Sequence, residues 1–131
     1  EGRCGGSCGE VFPGSVCAGG AGCGMYNLCF CVPGSHVEQV KTAIFAVGGG
    51  RIGTYDRCCW QVLGEGEFRP LQGSSPFLGQ QGERKKVAEY RVELVCEAEC
   101  IRAAVAALLD AHPYEQPAWD LVVLATELPH S

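Results

Sequence analysis

Nine consecutive residues near the end of the chain, His112-Pro113-Tyr114-Glu115-Gln116-Pro117-Ala118-Trp119-Asp120, gather the groups best suited to chemistry: a histidine, two carboxylates and two aromatic rings, together with two prolines. Imidazole and carboxylate can hold a metal ion or exchange protons near neutrality, so His112 and Glu115, with Asp120 or His36 assisting, could serve a metal-dependent hydrolase. The same residues also have a structural account. Pro113 and Pro117 shape a turn, Tyr114 and Trp119 can pack, and a histidine at a helix C-terminus is stabilised by the helix dipole. For His112 the structural account is preferred.

Two further sets of residues invite chemistry. Ten cysteines are present, of which Cys4, Cys8, Cys17 and Cys23 lie in a glycine-rich start with spacings unlike the usual zinc patterns and no histidine among them. The other six sit in apolar periodic segments, where reduced, buried thiols are expected. Cys29, Cys31 and Cys59 could together bind a soft metal such as Cu(I) or zinc, but packing at an interface is the preferred reading. The second set is Gly48-Gly49-Gly50 with Arg51. A phosphate loop needs its glycines between a strand and a helix N-terminus. These follow a helix, so they read as its stop, with Arg51 a weak anion candidate. Apart from that soft-metal option, the cofactor these sets suggest is a divalent metal ion.

With 131 residues, 47% hydrophobic and 19% charged, the chain has the composition of one globular domain. A net charge of −5 argues against a nucleic-acid partner, and the single basic run, Arg84-Lys85-Lys86, reads as a solvated turn. No apolar run nears the roughly 18 residues of a membrane span, and no signal-peptide pattern is present, so a cytoplasmic location is expected. Residues 1–24 have no period and are expected to be a disordered tail or leader, with residues 25–131 forming the domain.

The elements that must position these groups follow from hydrophobic period. Tyr26 to Val32 alternates as a strand, with Leu28, Phe30 and Val32 on one face and Cys29 and Cys31 on the other. Ser35 and Glu38 form the capping-box pattern of a helix whose stripe is Val37, Val40, Ile44 and Val47. Thr54 to Leu63 reads as a second strand with Cys58, Trp60 and Val62 on one face. Gly64-Glu65-Gly66 then reads as a turn, and Glu67 to Pro70 as a short return strand. Leu71 to Gly82 is a loop carrying Phe77 and Leu78, two apolar residues expected to dock on the body or on a neighbouring subunit.

Val87 to Cys96 alternates cleanly, Tyr90, Val92, Leu94 and Cys96 against Glu89, Arg91 and Glu93. Ala98 to Ala111 is a helix with Ile101, Val105, Leu108 and Leu109 as its buried stripe. Leu121 to Ala125 is continuously apolar, which predicts a central or well-covered strand. This order predicts an α+β fold, a ferredoxin-like split βαβ sandwich with an antiparallel sheet and both helices on one face. Trp60 and Cys58 are expected to look toward the helices. Cys29, Cys31, Arg57, Cys59, Gln61, Glu89, Arg91 and Glu93 would share the open face, which is too apolar for plain surface and too charged for a core. A subunit interface fits both properties.

Several linked blocks carry a family resemblance: Val32-Pro33-x-Ser35-His36-Val37, Gly50-Arg51-Ile52-Gly53-x-Tyr55-Asp56-x-Cys58, Gly64-x-Gly66-x-Phe68-Arg69-Pro70, Pro76-Phe77-x-Gly79, Glu89-x-Arg91-x-Glu93 and the His112 turn. From about Met25 to Ala125 the chain resembles the YqfO-type domain of the Nif-three-like proteins, sometimes labelled homologues of a type 2 GTP cyclohydrolase. In those larger proteins this domain is inserted between two halves of a dinuclear-metal domain. The resemblance implies a PII- and CutA-like module that assembles through its sheet, with a trimer favoured and a small-molecule ligand or metal at a subunit boundary. It implies no dinuclear-metal chemistry for this segment, because that activity belongs to the flanking halves. Residues before Met25 match nothing in the family.

Overall fold

The computed structural model describes residues 24–77, 79–125 and 127–129. Residues 1–23, with Cys4, Cys8, Cys17 and Cys23, lie outside the described residues, as do Leu78 and His130, and with them the expected tail and half of the apolar loop tip. Six elements follow in order: β1 (Met25–Pro33), α1 (Val37–Ala46), β2 (Trp60–Phe68), β3 (Lys85–Glu97), α2 (Ile101–Ala111) and β4 (Trp119–Val123). The strands form one antiparallel sheet in the order β2-β3-β1-β4, the expected ferredoxin-like arrangement.

The core lies between that sheet and the two helices, which pack side by side over one of its faces. In register, Leu28 faces Leu94 and Phe30 faces Val92, so alternate residues of β1 and β3 form a continuous apolar layer. Val40 and Ile44 of α1 and Ala104 and Leu108 of α2 close it, all fully buried. At the end of α1, Gly48 and Gly50 adopt positive φ. A Cβ at Gly50 would lie 2.9 Å from both the Cys58 carbonyl and the Phe45 ring, so only glycine fits this corner.

Several expectations are corrected. Val37 opens α1 after an N-cap at His36, and no side chain caps it; the Ser35 hydroxyl instead lies 2.8 Å from His36 Nδ1, so the capping box does not form. Residues 51–59 are loop rather than strand, because Arg57 sits at φ 57° and a small hairpin pairs Ile52 with Tyr55. β2 therefore starts at Trp60 and runs through Gly64-Glu65-Gly66 without turning.

Pairing of Trp60 with Glu93 and of Gln61 with Val92 reverses the expected orientation of this strand. Trp60 and Val62 share the open face, while Gln61 lies on the helix side and accepts a 2.8 Å hydrogen bond from Lys41 of α1. α2 buries Ile101, Ala104 and Leu108, leaving Val105 half-buried and Leu109 exposed. Among the described residues β4 is an edge strand paired with β1 alone, with Val122 and Val123 exposed, and not a covered one. All six described cysteines are free, but only Cys29 and Cys96 are buried, and Cys59 is exposed.

Candidate functional site

The turn from His112 to Trp119 is fastened to the end of β1 from both sides. Cys31 N–H donates to the Ala118 carbonyl at 3.1 Å, and His112 Nε2 lies 2.6 Å from the Cys31 carbonyl. Since a carbonyl only accepts, Nε2 carries the proton, and Nδ1 is left as acceptor for the Tyr114 N–H at 3.1 Å. Both ring nitrogens are thus engaged inside the protein, and His112 is only 6% exposed. Burial holds its pKa below the ordinary value, against the opposing pull of the Cys31 hydrogen bond and Glu89. The ring is a neutral brace for the turn.

Tyr114 carries the turn toward β3. Its hydroxyl donates to Glu89 at 2.8 Å, and burial together with that carboxylate pushes the phenol well above its usual pKa, so it remains a donor. The ring lies 4.9 Å from His112 and 6.2 Å from both Phe68 and Phe77, while Phe77 meets His36 edge-on at 5.5 Å. Glu115 accepts a 2.9 Å hydrogen bond from the Ser75 N–H, tying the β2–β3 loop to the turn. Between them opens a cleft of about 630 Å³, floored by Cys31, Gly66 and Glu89 and walled by Phe68, Phe77 and Tyr114. A Cβ at Gly66 would come within 2.5 Å of the Glu89 carboxylate, so glycine leaves room for the acid that Tyr114 holds.

His112, His36, Glu115, Phe77, Glu89 and Cys31 are therefore brought together at one end of the sheet. Asp120 is not among them. It pairs with Cys29 across the open face, where Arg91 and Glu93 form an ion pair at 3.4 Å. Cys29 is 2% exposed even there, and burial pushes its thiol up to about 11, a neutral group at physiological pH. Cys59 precedes β2 and lies outside the strands, and Arg51 stands at the far end of the molecule beyond the Gly50 corner. Sequence reasoning missed Trp60, which is 60% exposed beside Glu93 and Arg91. The sequence carried no signal for it, since the indole is turned outward by the pairing of β2 with β3, which places Trp60 opposite Glu93.

Two bridged metal ions require several converging His, Asp and Glu ligands. Among the described residues no three His, Cys, Asp or Glu side chains are grouped to hold even one ion, so these residues do not fit a dinuclear centre. The hydrolase alternative likewise finds no free imidazole nitrogen at His112.

No protein-family model matches the chain. It is 46% identical over 93 residues to the GTP cyclohydrolase 1 type 2 homolog of Mycobacterium leprae, an alignment that covers 71% of this chain and 24% of that protein. Among solved structures it is similar to a Bacillus cereus protein related to NIF3, with TM-score 0.67, 34% identity and coverage of 77% of this chain and 26% of that one. Shewanella CutA1 shares the fold at TM-score 0.57 and 12% identity, over 79% of this chain and 84% of that one. The resemblance to Nif-three-like proteins and the CutA-like fold are thus borne out. The chain spans about a quarter of the length of the curated relatives it matches.

Proposed function

We propose that this domain is a non-catalytic binding module that works as a homo-oligomer, with its copies meeting through the open face of the sheet. The observation that carries this reading is the composition of that face. Its own helices leave it uncovered, yet it presents Trp60, Val62 and Val122 beside the Arg91–Glu93 pair, with the Cys29 thiol already buried beneath them. Exposed aromatic and arginine side chains of this kind anchor protein interfaces, and the surrounding charges set register.

A trimer is the favoured count, and the cleft beside Tyr114 is where a small ligand would sit at the boundary between copies. The fold shared with CutA supports the module reading as analogy only. Native mass spectrometry on reduced protein tests the assembly. A trimer whose mass collapses on Trp60→Ser supports the reading, and a strict monomer at all concentrations removes it.

A further inference from the structure

The loop after the Gly50 corner is built as a rigid tip. Gly50 N–H donates to Val95 at 2.7 Å, Cys58 N–H closes the base on Gly50 at 2.8 Å, and the Arg57 guanidinium lies 4.9 Å over the Phe45 ring. Beyond that base, Ile52 and Tyr55 exchange two backbone hydrogen bonds of 2.8 and 2.9 Å around Gly53. A segment held this firmly nonetheless presents Tyr55 at 73% and Ile52 at 51% exposure, next to exposed Arg51. At the other end of the sheet the cleft offers the complement. Its walls are aromatic, and with Glu67 paired to Arg84 at 2.7 Å, Glu89 and Glu115 still outnumber Arg69 there, whereas Arg51 and Arg57 outnumber Asp56 at the tip.

We infer that the tip of one copy docks in the cleft of a second copy, with Tyr55 against the Phe68, Phe77 and Tyr114 walls and Arg51 toward Glu115. The occupant must come from another molecule. Val95 at the tip and Glu89 at the cleft are separated by six residues of β3, about 20 Å at ~3.4 Å per residue, so no chain reaches its own cleft. A cavity of this volume is in the range of sites that bury a group the size of a small molecule, and an aromatic side chain is smaller than that. Tip-into-cleft contact is head-to-tail, and such an interface closes into a ring when the rotation between successive copies closes. The inference rests on the homo-oligomer reading above and specifies which surfaces meet at its boundary.

The test uses the full chain, reduced, in light scattering coupled to size exclusion. Tyr55→Ser disables the tip and Glu115→Arg disables the cleft; both side chains are exposed, and because Glu115 also accepts from the Ser75 N–H, cooperative unfolding of each variant is confirmed before assembly is compared. Each variant alone is expected to need at least about tenfold more protein to assemble, as loss of an anchor side chain does. Mixed together, they should assemble at lower concentration than either variant alone, because the intact tip of one meets the intact cleft of the other. Wild-type assembly with both variants behaving like wild type would overturn the tip-and-cleft contact while leaving the homo-oligomer standing. A monomeric wild type would overturn both.

Discussion

The two faces of the sheet are made by the same strands, residue by residue in alternation, yet they obey different rules. On the helix side Leu28, Phe30, Val32, Val92 and Cys96 are essentially fully buried in one apolar cluster with residues of both helices. On the open side Cys29 is buried, Cys31 half-buried, Arg91 exposed and Trp60 largely bare. The first face decides whether the chain folds. The second is free to vary in charge and shape, and it carries the features suited to meeting another molecule.

That contrast can be broken at its strongest point first. Phe30→Ala empties the largest fully buried position of the helix-side layer and should cost about 3–5 kcal/mol of unfolding free energy, read by denaturant titration. His112→Ala comes next. It leaves the Cys31 carbonyl and the Tyr114 N–H without their partner, for a loss of about 1–3 kcal/mol.

The same histidine makes stability depend on pH in a definite direction. Its folded pKa lies below the unfolded value near 6.5, so protonation favours the unfolded chain. Its contribution is complete above about pH 6.5 and is lost as pH falls through that value toward the lower folded pKa. His112→Gln should flatten this part of the profile, and a wild-type melting temperature that does not fall between pH 7 and 5 would refute the buried neutral imidazole.

Smaller effects sharpen the comparison. Tyr114→Phe removes the hydrogen bond to Glu89 at the cleft and should cost about 0.5–1.5 kcal/mol by thermal or denaturant unfolding. Trp60→Ser should change folding stability least, within about 0.5 kcal/mol for an exposed site, although it removes a far larger side chain than Tyr114→Phe does. If Trp60→Ser instead destabilises the isolated subunit by several kcal/mol, the open face is part of the core and the contrast fails.

Much of this architecture was legible in the residues. β1, β3 and both helices announced themselves because one side of each is buried against a regular partner, and burial imposes a period. β2 was misread because Arg57 takes a positive φ that no periodic reading anticipates, which displaces the strand start and turns Trp60 outward. The apolar run of β4 suggested cover, whereas the strand lies at an edge with one neighbour. At the candidate site, the turn was visible from its prolines and its crowded side chains. The partner of His112 was not, since the Cys31 carbonyl is 81 residues away in the chain and a backbone acceptor has no sequence signature.

Cys31 links these regions in time as well as in space. Its amide donates to one side of the turn and its carbonyl accepts from the other, so the turn cannot lift off without stripping both groups at once. Hydrogen exchange at the Cys31 amide therefore reports the opening of the whole α2–β4 connection as one cooperative unit, on the slow timescale of the core rather than that of a surface turn. The cleft floor thereby inherits the kinetic protection of β1, and whatever binds there meets a surface already set before it arrives.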